Sequence, residues 1–212
     1  QNGAGSSGGG SATQGPKTPS TFNEDATGVH NWTSPISNAG AEDSIYTVVS
    51  GLCGVDGGYS NKLQISNLGF SIPSGATING IAFTVRLRAP ATGGSVTAAD
   101  KEVKFMKGGN VVGNNFSRGI DVAWSSAATN IIFGGSTELG GTTWTSSDIN
   151  ASNFGFSISA QCSVYDGVNQ SSAAIDVINA TVYYTNASAS IYNVFYDLRD
   201  VLTNLLKKIY YK

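Results

Sequence analysis

Charge is what this sequence has least of. Asp, Glu, Lys and Arg make up 12% of its 212 residues, about half of the roughly 25% of an ordinary soluble chain. Twelve Lys plus Arg stand against fourteen Asp plus Glu, for a net charge of −2. A nucleic-acid footprint needs a basic patch to displace counterions, and this balance excludes one. There is one histidine, His30, in a polar stretch, so any Ser-His-Asp or Cys-His scheme would have to be built on a single imidazole. Cys53 and Cys162 lie far apart, without the close spacing of a zinc or redox motif. Asp residues in Gly-rich loops offer hard oxygen ligands and raise calcium as a guess, yet no Asp-x-Asp-x-Asp-Gly spacing occurs. We therefore assign no catalytic residue, no metal site and no cofactor. No run of 18 apolar residues exists, so no membrane-spanning helix is expected. The chain begins at Gln1 without an initiator Met or a basic-then-apolar leader, as a processed form or a fragment would.

The acids are scattered singly. Asp43, Asp56, Asp100, Glu102, Asp121, Glu138, Asp148, Asp166 and Asp176 sit mostly beside Gly or Ser, where turn capping is the ordinary role of a carboxylate. A glycosidase needs two of them facing one another across a cleft, and nothing in their spacing pairs them. The cysteines are either a bonded pair or two buried thiols. In an extracellular protein, a bridge closing a loop of about a hundred residues would restrict the unfolded chain by roughly 4–5 kcal/mol.

What the sequence has in abundance is glycine, 27 residues, and short alternating segments between Gly, Ser, Asn and Pro clusters. Residues 1–20 carry too little apolar surface to offset the entropy of ordering and read as a flexible Gly/Ser-rich tether. Residues 21–185 show the period-two pattern of an antiparallel sandwich. In Ile81–Arg88, residues Ile81, Phe83, Val85 and Leu87 share one face, which leaves Arg86 and Arg88 facing solvent. Gly155–Val164 alternates likewise, with Phe156, Ile158, Ala160, Cys162 and Val164 inward. In Ile175–Tyr184 the apolar phase changes, and a bulge near Val177 would reconcile its two halves. Further strands are expected at Ile45–Ser50, Lys62–Ser66, Glu102–Met106, Asp121–Trp124, Asn130–Phe133 and Thr142–Thr145. Eight or more short strands suit a jelly-roll-like all-β sandwich. Leu68–Ile72 echoes Phe154–Ile158, and Ile78–Val85 echoes Ile175–Val182, so the two halves could pack as pseudo-equivalent sheets.

After Thr185 the character changes. Ile191, Phe195, Leu198, Leu202, Leu205 and Ile209 recur at spacings of 4, 3, 4, 3 and 4, the seam of an amphipathic helix over residues 186–212. Ser188 or Ser190 would cap it, and Lys207, Lys208 and Lys212 suit the negative end of its dipole. A lone helix of this length is marginal in water, so the seam needs a partner. Its own sandwich, the same helix of neighbouring copies, and a membrane surface are the three choices. The narrow seam favours self-association into a homo-oligomer or polymer, with membrane contact the least favoured.

Several stretches carry a resemblance: Trp32-Thr-Ser-Pro35 with Asn38-Ala39, Phe70–Ile81, Phe133–Leu139, Thr143-Trp-Thr145, and Asp148–Gly155. Over roughly residues 30–185 the chain resembles an uncharacterised β-sandwich domain of phage structural and fibre-like proteins and of bacterial or archaeal surface proteins. Gly140 departs from it, standing where a tryptophan would be expected. The resemblance implies a building or attachment role in a virion or at a cell surface and brings no catalytic residues. Trp32, Trp124 and Trp144 are either core residues or a stacking platform for glycans, the latter making the chain a lectin-like or receptor-binding module. Asn31, Asn115, Asn150, Asn169, Asn179 and Asn186 each open an Asn-x-Ser/Thr sequon, a glycosylation acceptor in a secreted chain. The leading expectation is a non-enzymatic structural subunit, with surface glycans as the alternative partner.

Overall fold

A computed structural model describes residues 9–33, 35–53, 58–90, 97–164, 171–187 and 201–204. Among these residues ten strands run in chain order: β1 (Ser11–Lys17), β2 (Thr21–Asp25), β3 (Thr47–Ser50), β4 (Lys62–Ser66), β5 (Thr77–Arg88), β6 (Thr97–Lys107), β7 (Asn110–Val112), β8 (Thr129–Gly135), β9 (Gly155–Val164) and β10 (Ser172–Thr185). A 3-10 turn at Ile36–Ala39 and a short helix α1 (Ser146–Asn150) interrupt them. Two antiparallel sheets form a sandwich. One has the order β1-β10-β5-β8, with β3 also on β10; the other has the order β2-β4-β9-β6-β7.

The alternation in the sequence sets the core. On β5, Ile81, Phe83, Val85 and Leu87 are all 1% exposed or less. Phe83 reaches across to the other sheet, its ring 4.7 Å from Phe156 and 5.5 Å from Phe105. Rings so placed add about 0.5–1.5 kcal/mol per pair beyond the area they bury. The phase change on β10 is a bulge, because Ile175 pairs with Leu87 and Val177 with Arg86, leaving Asp176 as the extra residue.

That bulge corrects the expectation for Arg86. It aims the fully buried Asp176 carboxylate at the outer face of the sheet, where Oδ2 accepts from Arg86 Nε at 3.0 Å and Oδ1 accepts from the Ser44 amide at 2.9 Å. The 40–46 loop thus covers the outer face, and the Arg86 side chain is 27% exposed. Arg88 lies over the Tyr46 ring at 4.3 Å. Both arginines are covered because a bulge carboxylate holds a loop over them, which alternation alone does not report.

Three other expectations are corrected. Within the supposed tether, Ser11–Lys17 is a strand, because its backbone groups pair with the β10 edge from Ala180 to Thr185; a row of main-chain bonds orders a segment that has little to bury. Asp121–Trp124 is a turn closed by one bridge from Ala123 to Ala99, since Trp124 dives into the core. Thr142–Thr145 is the approach to α1, with Thr145 as its N-cap. The Thr145-x-x-Asp148 spacing is the sequence signal for that helix.

The internal echo also resolves differently from two equivalent sheets. Both members of its second pair are strands, but β5 and β10 are antiparallel neighbours in one sheet and not equivalents in two. Residues 68–72, however, form no strand, whereas 155–158 open β9. The consecutive pairs β4 and β5, and β9 and β10, each send one strand to each sheet.

Glycine at position 140 has a local cause. Its φ is +67°, and a Cβ there would sit 2.9 Å from the Phe105 ring, so a side chain would strain the left-handed backbone and displace the ring.

Candidate functional site: an unguarded sheet edge

The tryptophans do not form a glycan platform. Trp32, Trp124 and Trp144 are 3%, 2% and 8% exposed, and each indole N–H is satisfied internally. Trp32 donates to Asn61 O at 2.9 Å, Trp124 to Asp100 Oδ1 at 2.7 Å, and Trp144 to Leu139 O at 2.9 Å. Trp32 and Trp124 close the core and anchor their N–H groups to the chain, which leaves them no face for a sugar. Trp144 shows a sliver of its ring to an open groove of about 530 Å³, lined mainly by Ser and Thr with Ile78 and Leu139.

The carboxylates are structural in their surroundings. Asp100 and Asp176 are fully buried, and each is matched to an arginine, Arg118 at 2.7 Å and Arg86 at 3.0 Å. Among the described residues no group of three His, Cys, Asp or Glu side chains is placed to hold a metal ion. No described helix is long and apolar enough to cross a membrane.

Asp148 closes the capping box of α1. Its Oδ2 accepts from the Thr145 hydroxyl at 2.7 Å and the Thr145 amide at 2.8 Å, and Lys107 Nζ lies 3.0 Å away. Burial alone would raise this carboxyl. The Thr145 hydrogen bonds and the Lys107 ammonium outweigh it and hold the group below its ordinary value of 3.8. A lowered folded-state pKa means stability that is present above the unfolded value and lost as pH falls through the folded one. We expect Asp148→Asn to cost about 0.5–1 kcal/mol at pH 7. Thermal melts of both proteins should converge as the pH drops below the ordinary value of 3.8.

The sequons fall on varied ground. Asn31 and Asn115 are exposed, although the Asn115 carbonyl accepts from the Val103 amide at 2.8 Å. Asn150 is exposed as well, but its amide spans the Ile72 backbone, donating to O at 2.8 Å and accepting from N at 2.7 Å. Asn179 is half-buried within β10, and Asn186 is half-buried just after it. Asn169 lies outside the described residues. Of the C-terminal seam, only Leu202 is described, in a helical stretch at 201–204, and it is 60% exposed. Ile191, Phe195, Leu198, Leu205 and Ile209 lie outside the described residues.

Cys53 and Cys162 form a disulfide. It ties the turn after β3 to the far end of β9, and so joins the edge of one sheet to the middle of the other.

The feature that sequence reasoning missed is an edge. A sandwich of two open sheets presents a row of unpaired backbone donors and acceptors at each border, and natural proteins blunt such rows with Pro, charge, shortness or a covering segment. β1 carries Pro16 and Lys17. The β3 border is covered by Thr33, whose amide donates to Val48 O at 2.7 Å. β2 ends in Glu24 and Asp25, and β7 is three residues long. Among the described residues β8 has no proline, no charge of its own and no covering strand, although the Arg118 guanidinium lies 5.7 Å from the Phe133 ring centre. It pairs with β5 over seven residues, from Thr129 opposite Leu87 to Gly135 opposite Ile81. No strand among the described residues lies on its other side. Residues 122–137 contain no charge and no proline, and Ile132, at the middle of β8, is 64% exposed. The absence of charge between Asp121 and Glu138 was legible in the sequence, but only the sheet order makes the strand an edge.

Compared with known proteins, the chain matches no family model and no curated protein sequence.

Proposed function

We propose that this chain is a non-enzymatic structural subunit of a virion, such as a phage capsid, tail or fibre component, or of an extracellular filament. It assembles through its sheet edges and its C-terminal helix. The observation that carries this reading is the unguarded β8 edge. An open, uncharged strand with a large exposed aliphatic side chain at its centre is an aggregation liability in a free monomer and a joint in a built assembly.

The strand order supports a jelly roll. Counted without β2 and β3, the eight remaining strands run first-eighth-third-sixth in one sheet and second-seventh-fourth-fifth in the other, which is two nested Greek keys. The disulfide supports an oxidising location outside the cytosol, where such bridges persist. The seam formed by Ile191, Phe195, Leu198, Leu202, Leu205 and Ile209 then bundles with the same seam of neighbouring copies. Linked joints raise the effective concentration of each other, so a weak edge and a short helix together hold an assembly that neither would hold alone.

Light scattering on the full chain and on a version ending at Thr185 tests this. The full chain should be a defined oligomer or filament, with the shortened one smaller. Two monomers would overturn the reading.

A further inference from the structure

We infer that the partner at β8 is the β8 strand of a second copy, laid antiparallel across a two-fold axis that passes through Ile132. This rests on the assembly reading above and names the partner at one of its joints.

The argument is one of elimination among the chain's own strands. A strand added to β8 must supply backbone groups along its length and must not bring a charge into a border that has no counter-charge. β1 brings Lys17 and, at Pro16, a residue without an N–H. β2 brings Glu24 and Asp25. β7 is uncharged, but its three residues would leave more than half of a seven-residue edge unpaired. β3 is uncharged and already covered. β4, β5, β6, β9 and β10 have neighbours on both sides. Among the described strands β8 alone matches β8 in length and in its lack of charge.

The register follows from the same strand. The strand is centred on Ile132, so an antiparallel pair about that residue sets Ile132 opposite Ile132 of the second copy, with the left-handed Gly134, at φ +85°, marking the limit of the extended run. Ile131 is half-buried and Phe133 is buried, both on the core side, whereas Ile132 stands on the outer face. Pairing in this register covers the exposed Ile132 against its own mate, an aliphatic cross-strand pair on one face. It also joins two sheets edge to edge, so that each loses the one border left unguarded among the described strands. The contact is isologous and closes on itself, and a filament would therefore need a second joint, the role left to the C-terminal helix.

Cysteine cross-linking on the full chain tests the pairing, since both native cysteines are already bonded to each other. Under mild oxidation, Ile132→Cys should form a disulfide-linked dimer because the two thiols meet on the axis. Val29→Cys, an equally exposed position at 66%, should not. Ile132→Lys should weaken association at least about tenfold on dilution, since like charges then face each other, and mixing it with Ile132→Glu should restore it. Because Ile132 is exposed and stands outside the core cluster, near-ultraviolet circular dichroism should be unchanged in these variants. If the full chain is oligomeric yet Ile132→Cys fails to cross-link, or links no better than Val29→Cys, the β8 pairing is overturned and the assembly reading survives. If the full chain is a monomer at every concentration, both fall.

Discussion

Removing the Cys53–Cys162 bridge, by reduction or by Cys53→Ser with Cys162→Ser, should lower stability by about 4–5 kcal/mol. The two residues are 109 apart in sequence, and a loop of that size restricts the unfolded chain strongly, on the loop-entropy account of such bridges. In the folded protein the bridge also holds the turn that carries Leu52, which is fully buried and donates its amide to Ser171 O at 3.2 Å. That loss is a large fraction of the 5–15 kcal/mol that keeps a typical domain folded. Urea unfolding with and without reductant measures it. A midpoint that does not move would mean that the bridge restrains nothing the fold does not already fix.

The second large effect concerns Asp100. Its carboxylate is fully buried on β6 and accepts four hydrogen bonds: Arg118 Nε at 2.7 Å, Arg118 Nη2 at 3.0 Å, the Arg118 amide at 3.1 Å and the Trp124 indole at 2.7 Å. The group therefore pins both ends of the 118–124 turn to the sheet. Asp100→Ala leaves a guanidinium without its counter-charge and a buried indole N–H without an acceptor, and should cost about 3–5 kcal/mol. Asp100→Asn keeps the shape and one acceptor oxygen and should cost less. Chemical denaturation ranks the three proteins, and the Trp124 fluorescence reports the turn. If alanine and asparagine cost the same and both cost under about 1 kcal/mol, the ion pair is a surface contact and not the anchor described.

Sequence reasoning reached the strands whose side chains alternate. Lys62–Ser66 and Gly155–Val164 agree to the residue with β4 and β9, and the phase change near Val177 marks the observed bulge. Each is a local pattern with a local cause, since a sheet with one buried face demands period two and a single inserted residue shifts it. β1, β2 and β7 escaped the same reading because they are border strands with few apolar side chains, whereas β3 and β8, also at borders, carry the apolar runs Val48-Val49 and Ile131–Phe133. An edge strand buries few side chains, so its residues carry little alternation, and what orders Ser11–Lys17 is the backbone of a strand about 170 residues away.

The site divides in the same way. The seam after Thr185 is written in the sequence as a spacing, and the uncharged run from 122 to 137 is written there as a composition. The sequence by itself thus determined an all-β chain with low charge and an alternating core. Tertiary structure decided the rest. It buried the three tryptophans, joined the two cysteines, folded a loop over Arg86, and left β8 as the one border without a guard among the described strands. The physical reason is that side-chain periodicity is a property of neighbours along the chain, whereas the exposure of a ring or of a row of backbone groups depends on which distant strand arrives beside it.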